Sequence, residues 1–391
     1  MSDLSLVSRQ RVLLVTRNLP PLRGGMERLN QHMALELAKE FSVAIVGPRG
    51  CGAFLPASID VREVSAKPLW RFFLGALSCS LSTAWRFRPD VVLAGSGLAA
   101  PFAWLAAKMV RAHFVVYVHG LDLIANHVIY RCLWRPFIRR ADLCIANSNY
   151  TAQLAVGIGV PQSRIAIVHP GVDMPVPETT ANDFRVRFDL GDRPLLLSVG
   201  RLIARKGLLE FVENALPQIV ARFPDVCLMV LGDETPDLLH GSSAGLGECI
   251  RQRAAALGTE HNLRFIGPQD DATLASAYRA SDVHVFPVRE IACDVEGFGM
   301  VAVEAAAQGL PTVAFAVGGV PDAIADGVSG YVVAAGDYAN MASRIVELLN
   351  QRNISTLGGA ARAFAERFRR ENFGTQIRRR ICSSVGDAQL K

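Results

Sequence analysis

Short apolar runs of strand length recur along this chain between segments with helical spacing, and the series starts twice. The first series is Arg11-Val-Leu-Leu-Val-Thr16, Ser42–Val46, Val91–Ala94, Phe114–Val118 and Leu143–Ala146. Arg28 to Lys39, between the first two runs, spaces its apolar residues as a helix does. The second series is Leu195–Val199, Val226–Leu231, Leu263–Ile266, Val283–Phe286, Thr312–Phe315 and Tyr331–Val333. Continuous apolar strands alternating with helices imply a parallel sheet covered on both faces. The fold class is therefore α/β, with two doubly wound domains. Pro170 to Pro194, rich in Pro, Asp and Thr, reads as a linker between them. The expected domains are residues 1–175 and 190–365, followed by a terminal segment, 366–391. The chain of 391 residues is long enough for both. Two such domains place a cleft at the carboxyl ends of their strands.

Charge is spread unevenly over this frame. Residues 1–175 carry 19 Lys and Arg against 10 Asp and Glu, a net of +9, while the remainder carries 22 against 26. A basic half suits an anionic surface, nucleic acid or a phosphorylated substrate, although surface charge often only keeps a protein soluble. The eight cysteines are scattered with no CxxC pair, which argues against a zinc site or a disulfide framework and for a reducing compartment. The first residues lack the layout of a signal peptide, and no uncharged apolar run reaches the roughly 18 residues of a spanning helix. The expected location is cytoplasmic.

Chemistry concentrates in a few loops. Glu296-Gly-Phe-Gly-Met-Val-Ala-Val-Glu304 sets two carboxylates eight residues apart, with glycines beside the first and a small-residue helix following. Glycines admit close backbone approach, a helix N-terminus suits phosphate, and carboxylates accept from hydroxyls. A ligand with a phosphate centre and hydroxylated ends, a nucleotide sugar, fits that order. Arg201 and Lys206, in Ser198-Val-Gly-Arg201-Leu-Ile-Ala-Arg-Lys206-Gly207, follow a strand and suit a diphosphate; taken alone, they equally suit a solvated loop. Pro20-Pro-Leu-Arg-Gly24-Gly25 lies where an open α/β sheet has its first phosphate-binding turn, yet it is neither G-x-G-x-x-G nor a Walker loop. His119-Gly120 follows a strand, so His119 either meets a substrate oxygen or bonds to backbone. With no H-E-x-x-H and no D-x-D, no metal and no cofactor are expected.

Two segments combine aromatic and basic residues. Read as a helix, Pro68 to Arg88 puts Trp70, Leu74, Leu77, Leu81 and Trp85 on one face, with Arg71, Ser78 and Ser82 opposite. Tyr130 to Arg140 is the other segment. Such helices lie at membrane surfaces or pack inward on a core.

These motifs resemble the retaining glycosyltransferases of family 4, which have the two-domain GT-B fold. The likeness runs from Val12 to near Arg380. It is most specific in Glu296–Glu304, Gly309-Leu-Pro-Thr-Val, Val317-Gly-Gly-Val-Pro321 and Val199-Gly-Arg201…Lys206-Gly. The resemblance implies two Rossmann-like domains facing a central cleft, the first for the acceptor and the second for the nucleotide sugar. The terminal segment Arg362 to Arg380 would be the helix that crosses back to the first domain. Arg201 and Lys206 would hold the donor diphosphate, Glu296 the sugar hydroxyls and Glu304 the ribose. Backbone at Phe298, Gly299 and Met300 would approach sugar and phosphates, Gly24-Gly25 would face the diphosphate from the first domain, and His119 would approach the reacting sugar. Asp322 stands where relatives often have Glu, and Leu231-Gly-Asp-Glu234 lacks a common second glycine, leaving the donor base open.

The expected activity moves a hexose from GDP-mannose or a UDP-hexose to a lipid-linked or polysaccharide acceptor in cell-envelope glycan synthesis, such as lipopolysaccharide. The expected partners are that donor, that acceptor and the anionic inner face of the membrane, with no nucleic acid. A non-catalytic sugar-nucleotide binder is the alternative, and a nucleic-acid binder, lacking any zinc-finger or RRM signature, ranks lower.

Overall fold

A computed structural model describes residues 9–175, 181–234, 245–350 and 354–389. The chain divides into two compact units. Met1–Gly171 and Arg370–Lys391 form the first, and Val172–Arg369 the second.

Unit 1 is built on seven strands: β1 (Arg11–Val15), β2 (Ser42–Pro48), β3 (Asp60–Val64), β4 (Val91–Ala94), β5 (His113–Val118), β6 (Leu143–Ala146) and β7 (Ile165–Ile167). They pair in parallel in the order β3-β2-β1-β4-β5-β6-β7. Unit 2 has six: β8 (Leu195–Val199), β9 (Cys227–Leu231), β10 (Leu263–Gly267), β11 (Val283–Phe286), β12 (Thr312–Phe315) and β13 (Gly330–Val333). Their order is β10-β9-β8-β11-β12-β13, again all parallel. Central strands such as Val12–Val15 and Leu195–Leu197 are wholly buried because helices cover both faces. Each sheet has one place where the strand succession reverses, between β1 and β4 in unit 1 and between β8 and β11 in unit 2. Open α/β sheets bind ligands outside the strand ends at such points.

The expected linker is shorter than its composition suggested. Residues 181–187 form a helix, and Phe184 and Leu190 pack with Leu195, Leu197 and Cys227 in the core of unit 2. Arg185 fastens this segment by donating from Nε to the Ala280 carbonyl at 3.0 Å. Part of the linker, residues 176–180, lies outside the described residues.

The chain leaves unit 2 beside the point where it entered. The Val172 N–H donates to the Phe368 carbonyl at 2.8 Å. Helix Arg370–Gln389 then packs on helix Gly25–Leu37 in unit 1, burying Phe373, Ile377 and Ile381. At that interface the fully buried Glu36 accepts from Lys39 at 2.6 Å and from Arg378 at 2.9 Å, and Arg370 lies 3.5 Å away.

Helix Leu69–Phe87 corrects the expected division of faces. Its buried side is Phe72 with four smaller residues, Ala76, Ser80, Thr83 and Ala84, and it packs on helix Ala100–Val110. Leu77 and Leu81 reach partly into the core, whereas Trp70, Leu74 and Trp85 are 57, 62 and 66% exposed. Arg71, Ser78 and Ser82 are exposed as well, so they flank the aromatic stripe rather than oppose it. Helix Val128–Leu133 adds exposed Val128, Ile129 and Leu133. The Phe73 and Trp134 rings, 5.2 Å apart, tie the two segments together.

Candidate active site

The unit 2 reversal point gathers charge from the loops that leave β8 and β11. After β8 the chain passes Arg201 and makes one tight 3-10 turn, Ala204–Lys206. Gly207 ends that turn in the left-handed region, φ +68°, and a Cβ there would run into the Pro287 carbonyl. The loop after β11 brings Asp294 and Glu296 alongside. Lys206 Nζ donates to Glu296 Oε2 at 2.8 Å, and the Arg205 guanidinium donates to the same oxygen. On its other edge Arg205 Nε lies 2.9 Å from Asp294 Oδ1. None of the four side chains is more than 18% exposed. Two cations and two carboxylates thus balance in a site where unpaired charge would be costly.

The balance shows in the titration of Glu296 and Lys206. Burial alone would raise the Glu296 carboxyl, but Arg205 and Lys206 outweigh it and hold it at about 2. Burial pushes Lys206 below the usual lysine range, partly opposed by Glu296. Its ammonium also sits 4.7 Å from the centre of the Phe286 ring. On β11, burial and the Lys206 charge hold His284 at about 3, so it stays neutral beside the cluster.

The backbone of Glu296 is pinned from behind. The Gly319 N–H donates to the Glu296 carbonyl at 2.9 Å. A Cβ on Gly318, φ +57°, would collide with that same oxygen. The Val317–Pro321 turn thus sets the position of the carboxylate. A small hollow of about 10 Å³, room for roughly one water, opens beside the cluster, lined by Gly200, Arg201, Leu202, Lys206, Val230 and Leu246 among others.

Other site candidates of unit 2 lie around this centre. Arg201 is exposed at the hollow. Gly299 caps helix Met300–Ala307, with no side chain occupying the cap. Phe298 is buried against Phe368, so only its backbone faces outward chemistry; Met300 is partly buried on the same core. Glu304 lies on the helix and accepts from the Tyr278 hydroxyl at 3.2 Å.

Gly24, Gly25 and His119 lie in unit 1. Gly24 and Gly25 are exposed at the start of helix Gly25–Leu37, beside the β1 end of that sheet's reversal point. His119 follows β5 and is buried. Its Nε2 donates to the Gly95 carbonyl at 2.9 Å. Among the described residues, no group of three or more His, Cys, Asp or Glu could hold a metal ion.

Arg205 and Asp294 were not among the residues the sequence singled out. Three cations lie within six residues, Arg201, Arg205 and Lys206. Only the 3-10 turn and the Gly207 conformation determine that Arg205 and Lys206 both reach Glu296.

Two parallel-sheet units of this kind, seven and six strands, are the architecture of a GT-B glycosyltransferase. The chain belongs to glycosyltransferase family 4. The profile described as Glycosyltransferase Family 4 matches residues 23–175, and that described as Glycosyl transferases group 1 matches 180–369. The chain is 29% identical over 373 residues to the GDP-mannose-dependent alpha-(1-6)-phosphatidylinositol monomannoside mannosyltransferase of Mycolicibacterium smegmatis, covering 90% of this chain and 93% of that one. It is 32% identical over 292 residues to the D-inositol 3-phosphate glycosyltransferase of the same organism, covering 71% and 64%. Anabaena HepE in complex with UDP-glucose shares the fold with a TM-score of 0.78 at 22% identity, over 95% of this chain and 99% of that one. The chain is thus a glycosyltransferase, which sets aside the non-catalytic alternative.

Proposed function

We propose that this enzyme transfers a hexosyl group from a nucleotide sugar, with retention of anomeric configuration, to a membrane-linked acceptor of envelope glycan synthesis. The observation that carries the donor part is the Arg205–Lys206–Asp294–Glu296 cluster beside the hollow at the unit 2 reversal point. In this reading Arg201 and Lys206 bind the diphosphate and stabilise it as the bond from the anomeric carbon to phosphate oxygen breaks. The acceptor hydroxyl attacks the same face of the sugar and passes its proton to the departing phosphate. Positioning and charge stabilisation thus replace a strong base. Glu296, ionised and held by two cations, binds sugar hydroxyls and is no nucleophile. Glu304 takes the ribose. Gly24 and Gly25 present backbone to the diphosphate, and His119 approaches the reacting sugar through Nδ1. No metal takes part.

The donor is a GDP- or UDP-sugar. Kinship to a GDP-mannose-dependent enzyme favours GDP-mannose. The acceptor part is supported by the relative that acts on a phosphatidylinositol mannoside, and by the exposed Trp70–Leu74–Trp85 stripe within the basic half. On this reading unit 1 meets the anionic inner face of the membrane. No helix among the described residues is long and apolar enough to cross it.

Calorimetric titration with GDP-mannose, UDP-glucose and UDP-N-acetylglucosamine tests the donor reading. Saturable binding of one of them, strongest for GDP-mannose, is expected. No binding of any would overturn it.

A further inference from the structure

Arg205 touches no part of the donor in the transfer scheme above, yet it is the most enclosed cation of the cluster. Its guanidinium is gripped on two edges, by Asp294 and by Glu296. Its backbone is held too, since its carbonyl accepts from the Arg289 N–H at 2.9 Å. Lys206, the next residue, reaches the same Glu296 oxygen with a single ammonium on a flexible stem. Successive residues of a 3-10 turn point about 120° apart, so two neighbouring side chains converge on one carboxylate from different sides.

This arrangement has a consequence when a diphosphate arrives. The diphosphate competes for Lys206, and a lysine can swing between two anions. Glu296 would then keep only one positive partner. A buried carboxylate stripped of its cations is strongly destabilised. We infer that Arg205, anchored by Asp294, is a positioning residue that keeps Glu296 fixed for the donor sugar while Lys206 turns to the diphosphate. The inference rests on the reading of this cluster as the donor site. It assigns adjacent residues to different parts of the ligand. Lys206 serves the diphosphate directly, and Arg205 serves the sugar through Glu296.

The division is measurable because the two parts of the donor can be supplied separately. GDP and GDP-mannose, with UDP and UDP-glucose as the second pair, are titrated against the wild-type enzyme, Arg205→Gln, Arg205→Lys and Lys206→Ala. Arg205→Gln is expected to bind the nucleoside diphosphate as the wild type does, which also reports an intact fold. It should lose about tenfold or more in affinity for the sugar-bearing donor, the scale of a hydrogen bond to a charged group. Arg205→Lys should regain part of that loss.

The pH profile of kcat/KM supplies a readout that a merely structural residue would not move. Glu296 acts while ionised, and its cations hold it at about 2 against an ordinary 4.5. Removing one of them raises it, so Arg205→Gln should shift the acid limb to higher pH. Equal loss of nucleoside diphosphate and donor affinity, or an unchanged donor affinity with an unmoved acid limb, would overturn the role of Arg205 alone. If Lys206→Ala binds nucleoside diphosphate like the wild type, the donor-site reading falls, and this inference with it.

Discussion

Both units bury a glutamate among cations, but they do so in different places. In unit 1, Glu36 lies on a helix far along from the β1–β4 reversal point and meets Lys39, Arg370 and Arg378 where the C-terminal helix docks. In unit 2, Glu296 lies at the reversal point itself and meets Arg205 and Lys206 beside an open hollow. The local chemistry is nearly the same. A buried carboxylate with several positive partners is as suited to clamping two helices as to binding a ligand, so location decides the reading. The reversal point of unit 1 carries instead the backbone of Gly24 and Gly25 and the buried His119. One unit thus offers fixed charge at its strand ends, and the other offers backbone and an imidazole ring.

If that contrast is right, the two glutamates fail in different ways. Glu36→Ala leaves Arg378 and Arg370 at a buried interface without their shared anion, and should lower stability by about 3 kcal/mol, the low end for breaking a buried pair. Donor affinity in the folded fraction should stay at the wild-type value. Denaturant unfolding with calorimetry on the same variant checks both. A stable variant with weakened donor binding would erase the distinction between clamp and site.

A smaller effect is expected from the surface of unit 1. Most exposed large apolar side chains among the described residues belong to this unit, Trp70, Leu74, Trp85, Val128, Ile129 and Leu133 among them. Replacing Trp70 and Leu74 together by Ser should weaken binding to phosphatidylglycerol vesicles about tenfold, from lost burial of apolar area. Stability and nucleoside diphosphate affinity should not change. Unaltered vesicle binding would leave unit 1 without a membrane face.

How far the sequence revealed these features follows from where the physical signal sits. Strands such as β1, β4, β5 and β8 are buried on both faces, so their apolar runs stand out. Edge strand β3 exposes Arg62 and Glu63, and β7 spans only Ile165–Ile167; neither makes a run, and both were missed. The segment 181–190 read as linker because few apolar residues mark it, although Phe184 and Leu190 suffice to anchor it. At the site, Lys206 and Glu296 were legible because a charge beside glycines at a strand end is unusual. Arg205 and Asp294 were not, since backbone conformation at Gly207 and in the loop after β11 decides which charges turn inward. On helix Leu69–Phe87 the aromatic spacing was plain, but its outward direction depends on the small residues that pack beneath it.

The central claim is that the charged reversal point of unit 2 holds the donor diphosphate, and Lys206→Ala tests it most directly. The measurement is the calorimetric affinity of wild type and variant for GDP and UDP, taken alongside their unfolding curves. The account predicts a loss of at least about tenfold for the tighter nucleotide, the scale of one charge-assisted contact to phosphate, in a variant that remains folded. An affinity equal to that of the wild type in a folded Lys206→Ala protein would contradict it.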